Sequence, residues 1–275
     1  MPEIPDLEAI RAFYNGRIIG QEVTGVEVMI PYVVRTSATD FAASMTGNRF
    51  GECTRYGKFL LFHMQDGQIM VVNAMLTGRF QYIDAKAKKS GKMVMTITLA
   101  NGMQMRYADQ RVMGKVYLVS EDALASIPTW SEMGPDALSV GEEEFRARIR
   151  KYTGATKNVL TNSKFIAGIG NAYSDEILFE ARIDPFRKRS TLSDDDIGRL
   201  WRALGTVYDW AIPILREHFR DALDYHEWRE HLKVHRKGAG LKSDKDEGRC
   251  PRCGNHISQI APNDRVTSWC RTCQT

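Results

Sequence analysis

The feature that most constrains this 275-residue chain is its ending: Cys250 and Cys253 are separated by two residues, Cys270 and Cys273 likewise, and 16 residues lie between the pairs. Two such pairs can wrap four thiolates tetrahedrally around one Zn²⁺, and the interval fits a β-hairpin that brings the pairs together. Two disulfides would use the same spacing. The opening MPEIPDLEAI has neither the basic flank nor the apolar stretch of an export leader, and a reducing cytosol disfavours disulfides, so one structural zinc is expected. Four protein ligands leave the metal no open position, so the ribbon shapes a surface and does no chemistry of its own. The remaining cysteine, Cys53, has a strand-like context and reads as an inert core thiol.

The surface that the ribbon shapes is basic. Between Arg229 and Cys273 there are 10 Lys and Arg against 5 Asp and Glu, which more than accounts for the net +4 of the whole chain. Arg265 sits near the inferred hairpin, and Arg249, Arg252 and Arg271 surround the cysteines. Localised positive charge implies an anionic partner, and an arginine fork on a rigid hairpin suits phosphate; a solvated arginine is the bland alternative for any one of them. With 43% hydrophobic and 26% charged residues, the composition excludes a disordered or fibrous chain. No apolar run approaches the roughly 18 residues of a membrane span. A cytoplasmic protein without a membrane partner is expected.

The length suits two domains and a small appendage. Leu7, Ile10, Phe13 and Tyr14 recur at helical spacing after Pro5, which predicts a helix over 5–15. Strand-like stretches follow: Val23 to Ile30, KFLLFHM-QDG-QIMVVNAM, VMTITLA-NG-MQMRYA around Asn101-Gly102, and Lys115 to Ser120. Strands joined by tight turns predict an antiparallel sandwich or barrel-like domain over 1–120. From Glu121 the pattern turns helical (EDALASI, EEEFRARIRKY, NVLTNSKFIAG, NAYSDEILFEARI and DDDIGRLWRALGTVYDWAIPILREHF), which predicts a helical domain over 121–234. His235 to Arg249 reads as a charged linker, so 235–275 is linker plus zinc finger. The fold class expected is therefore mixed α and β and multidomain.

Two further motifs carry chemistry. Ala167-Gly168-Ile169-Gly170-Asn171 joins two helical segments, and glycine-bearing turns at a helix N-terminus can nest an anion, with Asn171 a side-chain partner. A glycine-stopped helical hairpin packing on itself would read the same. At the N-terminus, removal of Met1 leaves Pro2 with a free secondary amine beside the carboxylate of Glu3. Such an amine is partly neutral near physiological pH and can attack a sugar C1′ to give an iminium ion.

These residues coincide in one family. MPEIPDLE resembles the MPELPEVE opening of the formamidopyrimidine-DNA glycosylase and endonuclease VIII family, whose members excise oxidised bases and then cleave the strand. The resemblance continues in order through Tyr56-Gly57-Lys58, Asn73 to Gly78, Asp109 to Gly114, Met133 to Leu138, Lys157 to Arg187 and the C-terminal finger. It implies an N-terminal helix with a β-sandwich, a helix-two-turns-helix domain and a zinc-ribbon hairpin, acting on damaged double-stranded DNA, here as a nucleoid-associated bacterial-type monomer. It also implies roles: Pro2 as Schiff-base nucleophile, Glu3 as the acid that protonates the sugar ring oxygen, Lys58 as a phosphate contact that assists β-elimination, and Arg265 as the finger arginine linked to δ-elimination. Lys157, Asn171, Gly168 and Gly170 match phosphate contacts around the helix-two-turns-helix. Aligning NAMLTG with the family HLGMSG places Leu76 at the wedge that fills the gap left by a flipped base; DQRVMG against DPRRFG places Arg111 opposite the widowed base and Met113 at the usual Phe.

Asp6, Asn73 and Met113 depart from the family's Glu, His and Phe. Members that hold 8-oxoguanine close a glycine- and threonine-bearing loop over the purine, but REHFRDALDYHEWREHLKVHRKGAG, Arg216 to Gly240, has no Gly-Thr-Thr element. Its Leu223, Trp228 and Leu232 predict helix or a compact turn. On that ground the expected lesions are oxidised pyrimidines, hydantoins or abasic sites, with 8-oxoguanine and formamidopyrimidines as the alternative. A zinc-bearing damaged-DNA-binding protein without catalysis is the rival of another class, and it predicts loss of the amine or the acid. A structural zinc adaptor for protein partners would leave the N-terminal pair unused.

Overall fold

A proline and a reciprocal cap decide where the first helix starts. Pro5 lies in the first turn of α1 (Ile4–Asn15), and Glu3 and Asp6 form a capping box, with the Glu3 amide donating to Asp6 Oδ2 at 2.9 Å. Asp6 thus fills the N3 position where the family has Glu, and the departure preserves the cap. The computed structural model describes residues 1–224, 228–238, 248–261 and 265–275.

After α1 come β1 (Val23–Val28), α2 (Ala38–Met45), β2 (Phe50–Tyr56), β3 (Phe59–Met64), β4 (Gln68–Asn73), β5 (Gly78–Asp84), β6 (Met93–Leu99), β7 (Met103–Asp109) and β8 (Lys115–Ser120). The helices α3 (Glu142–Ile149), α4 (Thr156–Leu160), α5 (Asn171–Ala181) and α6 (Asp194–His218) follow, then β9 (Leu223–Asp224) and a hairpin of β10 (Ser258–Ile260) and β11 (Thr267–Trp269). EDALASI, expected as helix, is 3-10 over Glu121–Ser126. Of NVLTNSKFIAG only Asn158 to Leu160 is helical, as the end of α4, before the chain turns. Among the described residues no helix is long and apolar enough to cross a membrane.

The chain divides into two compact units: Met1–Ser131 with Ile212–Trp228, and Glu132–Ala211 with Arg229–Thr275. This differs from the division expected at 120 and 234, because the end of α6 and β9 belong with the strands, while the finger belongs with the helices. β9 is a strand because it pairs with the edge of β5, Leu223 opposite Tyr82, which corrects the expected helix or compact turn there.

In the first unit the sheets have orders β1-β6-β7-β5-β9 and β2-β3-β4-β8. Their inner faces supply one core, with Phe62, Met70 and Val72 from one sheet, Phe80, Ile97 and Met105 from the other, and Leu7, Ile10 and Tyr14 from α1. Cys53 is fully buried in that core, and burial pushes its thiol far above the ordinary range, as expected of an inert cysteine. In the second unit Phe179 of α5 packs with Val234, Ile257, Cys250 and Cys270, so the finger closes over a small apolar cluster of its own.

Candidate functional site

The N-terminal residues are held by the start of α1. Pro2 is buried, and Glu3 is buried as the N-cap residue. One turn further, the buried Glu8 accepts from Arg11 at 2.8 Å and from Arg55 Nε at 2.7 Å. Burial would raise its carboxyl, but the hydrogen bonds and charges of Arg11 and Arg55 outweigh it and hold the group below the usual carboxylate range. Arg55, its side chain 4% exposed, also donates from Nη1 to the Gly57 carbonyl at 3.0 Å. Gly57 and Lys58 are the two-residue turn between β2 and β3, where Tyr56 pairs with Phe59. Gly57 stands at φ +56°, which glycine supplies without strain in such a turn. Trp130 packs against Tyr56 and Phe59, its ring centroid 5.4 Å from each. A chain of polar contacts therefore links the helix that presents Pro2 and Glu3 to the turn that presents Lys58. Glu8 and Arg55 escape sequence reading because they are 47 residues apart; a charged residue on the helical spacing that begins at Ile4 is the one available signal.

The proposed wedge and the arginine beside it share a platform. Leu76 is 42% exposed and Met113 38% exposed, unusual for large apolar side chains. Both follow a non-glycine residue in the left-handed region, Met75 at φ 47° and Val112 at φ 55°, and such strain persists only where neighbours impose it. Here the imposing group is Asp109, fully buried. Its carboxylate accepts from the Thr77 hydroxyl, from the Arg111 amide at 3.2 Å and from the Gly114 amide at 2.6 Å. Thr77 Oγ1 in turn accepts the Arg111 amide at 3.0 Å. Asn73, where the family has His, caps the Met75 amide through its carboxamide oxygen at 3.1 Å. A Cβ at Gly78 would lie 2.3 Å, and one at Gly114 2.0 Å, from the Tyr107 hydroxyl, so both loops are packed onto one phenol. Arg111 is exposed.

In the second unit the expected phosphate contacts behave differently. Lys157 is buried, and its ammonium donates to Asp175 Oδ1 at 2.6 Å, the Val266 carbonyl at 2.9 Å and Thr267 Oγ1 at 2.9 Å. These acceptors come from α5 and from the hairpin. In this DNA-free structure Lys157 is thus tied to α5 and to the hairpin that carries Arg265. Asn171, the first residue of α5, also donates to the Val266 carbonyl, at 2.8 Å. Gly168, at φ +106°, and Gly170, the N-cap of α5, are both buried and shape the turn that delivers Asn171. Val266 is the residue after Arg265, so the helix-two-turns-helix fixes the backbone from which the exposed Arg265 projects. Asp175 also accepts from His235 Nδ1 at 2.7 Å and the Ser268 amide at 3.0 Å. Its neighbour Glu176 accepts the amides of Lys233, Val234 and His235 at 2.9–3.1 Å.

The Sγ atoms of Cys250, Cys253, Cys270 and Cys273 lie within 4.8 Å of one another, with Cys250 to Cys273 at 3.8 Å and Cys253 to Cys270 at 3.5 Å. Zn–S bonds of about 2.3 Å in a tetrahedron place sulfurs roughly 3.8 Å apart. The donor set therefore fits one structural Zn²⁺.

Comparison with known proteins accounts for most of the chain. Residues 1–116 match the formamidopyrimidine-DNA glycosylase N-terminal domain, residues 133–220 its H2TH domain, and residues 248–275 the zinc finger found in FPG and IleRS. The formamidopyrimidine-DNA glycosylase of Pelotomaculum thermopropionicum is 32% identical over 282 residues, covering 100% of this chain and 99% of the relative. That of Bacillus subtilis is 30% identical over 279 residues, covering 100% and 99%. Of solved structures, the Lactococcus lactis protein with DNA containing N7-benzyl-Fapy-dG matches at TM-score 0.88 and 28% identity, both chains covered in full. The same protein bound to DNA with an AP site matches at 0.86 and 26%, again over the whole of both chains. Fold, finger and relatives agree, and the chain belongs to the formamidopyrimidine-DNA glycosylase and endonuclease VIII family.

Proposed function

We propose that this protein is a bifunctional DNA glycosylase and abasic-site lyase of base excision repair, working as a cytoplasmic, nucleoid-associated monomer on damaged duplex DNA. The observation that carries the reading is the placement of Pro2 and Glu3 at the capped start of α1, with the Lys58 turn tied to that helix through Glu8 and Arg55. After Met1 is removed, the Pro2 amine attacks C1′, the bond from C1′ to the base breaks, and the base leaves with a proton. Glu3 protonates the ring oxygen as the sugar opens, which leaves an iminium between Pro2 and C1′. The iminium draws electrons from C2′ as its proton is lost, the C3′–O bond breaks, and the 3′ phosphate departs. A second elimination releases the 5′ phosphate. Lys58 and Arg265 hold the flanking phosphates while these groups leave. One zinc, held by the four cysteines, keeps the hairpin of Arg265 in shape.

Formamidopyrimidines and 8-oxoguanine are the substrates we favour. The sequence expectation of pyrimidine lesions rests on a missing Gly-Thr-Thr element, and residues 225–227 and 239–240 of that interval lie outside the described residues. The relatives carry the name formamidopyrimidine-DNA glycosylase along their full length, which favours the purine alternative. Borohydride trapping on duplexes with single lesions tests the chemistry. Protein shown by mass to lack Met1 should give a covalent adduct with abasic DNA, and Pro2→Gly should give none. Full trapping by protein that retains Met1 would refute the assignment of Pro2. Single-turnover excision of thymine glycol faster than of formamidopyrimidine would restore the pyrimidine reading.

A further inference from the structure

β5 and β6 both pair antiparallel with β7, Asp84 opposite Met103 on one side and Met93 opposite Ala108 on the other. They are therefore parallel to each other, and residues 85–92 must carry the chain back across β7 from one end of the sheet to the other. Residues 85–92 themselves form no helix or strand. A buried arginine supports it: Arg106 of β7, 2% exposed, donates to the carbonyls of Ala87 at 2.7 Å, Lys88 at 3.3 Å, and Asp84 and Ala85 at 3.4 Å, while Gln104 Oε1 takes its Nε at 2.8 Å. With its carbonyls drawn onto one guanidinium, the strap is a fixed element.

The strap reads AKAKKSGK, with no acidic residue. Lys86, Lys88, Lys89 and Lys92 are all exposed. Lys89 pairs with Glu27, whereas among the described residues no carboxylate is paired with Lys86, Lys88 or Lys92. At the Lys92 end the strap joins the platform of the wedge, because the Lys92 carbonyl accepts the Asp109 amide at 2.9 Å, and Asp109 holds the loops of Leu76 and Arg111.

We infer that this strap is a phosphate-tracking ridge that extends the duplex footprint away from the Leu76–Arg111 loops. The inference rests on the reading that those loops meet DNA. The strap runs from Asp84 opposite Met103 to Met93 opposite Ala108, a span of about 17 Å at roughly 3.4 Å per strand residue, and duplex DNA carries one charge per about 1.7 Å of axis, so the ridge matches about five base pairs of flank. Lysines on a backbone already fixed by Arg106 pay less ordering entropy on meeting phosphates than the same residues on a mobile loop.

The test compares wild type with Lys86→Ala/Lys88→Ala/Lys92→Ala by anisotropy, on 25- and 9-base-pair duplexes carrying a central abasic-site analogue, across a salt series. On the long duplex the variant should bind more weakly, with a slope of log K against log salt smaller by about two to three. On the short duplex, whose four flanking base pairs reach only the Lys92 end, the loss of slope should be smaller. Equal slopes on the long duplex, or the same loss on both lengths, would overturn the ridge. Wild-type borohydride trapping reports on the glycosylase and lyase reading separately, so a protein that traps abasic DNA yet shows equal slopes loses this inference alone.

Discussion

Replacing Lys157 by Met separates its two possible roles. The substitution keeps much of the stem and removes the charge, leaving the fully buried Asp175 without its ammonium. Removing one partner of a buried ion pair costs about 3–5 kcal/mol, because the other charge is stranded. Asp175 keeps His235 Nδ1 and the Ser268 amide, so the low end, about 3 kcal/mol, is expected. For a unit of this size that lowers Tm by roughly 10 °C, measured by calorimetry of the zinc-loaded protein. Adding Asp175→Asn should recover part of the loss, since the stranded charge goes with it. DNA affinity should fall through disturbance of the hairpin that carries Arg265, and the double variant should regain some of it. A single variant with unchanged Tm and a salt slope smaller by one would refute the reasoning and return Lys157 to the phosphates.

Leu76→Ala should slow excision of a paired lesion at least tenfold while changing cleavage of a preformed abasic site by less than about threefold, because the wedge offsets an unstacking cost of a few kcal/mol that the abasic site largely avoids; equal losses would make Leu76 mere packing. Native protein should contain one zinc per chain by elemental analysis, and stripping it should lower duplex affinity at least tenfold, since a ribbon this small relies on its metal for shape; full affinity in metal-free protein would count against that. Glu8→Gln should flatten the acid side of the stability curve. The Glu8 carboxyl is depressed in the folded protein, so its contribution is present above the ordinary glutamate range and is lost as pH falls through the depressed value; acid denaturation unchanged in the variant would remove Glu8 from the account.

Local signals were legible and long-range partners were not. The cysteine spacing predicts the metal cluster because ligand geometry is a local chain property, and Asn101-Gly102 predicts the β6–β7 hairpin for the same reason. Lys115 to Ser120 is read as a strand and is β8. α2 goes unpredicted although Ser37 caps it, with the Asp40 amide donating to Ser37 Oγ at 3.0 Å, because its eight residues bury only Phe41 and Met45. Lys157 looks like any basic residue beside a glycine turn. What makes it a core lysine is an acceptor 109 residues away in the hairpin, and no periodicity encodes that. The strap over β7 is hidden similarly, since its meaning depends on strand order.

Tyr107 gives the loops of Leu76 and Arg111 a shared inheritance. Any side chain at Gly78 or Gly114 collides with the same hydroxyl, so displacement of one loop is transmitted to the other through a single ring. A substitution that shifts the Leu76 loop thereby also shifts the Arg111 loop, and the two should drift together among variants. Relief of a collision at Gly114 has a second route, trimming the phenol by Tyr107→Phe. At Gly78 that route is closed, because the Ala74 carbonyl oxygen stands 2.4 Å from the added carbon and backbone cannot be trimmed. Revertants of Gly114→Ala should therefore include changes at Tyr107, whereas those of Gly78→Ala should be restricted to restoring the glycine.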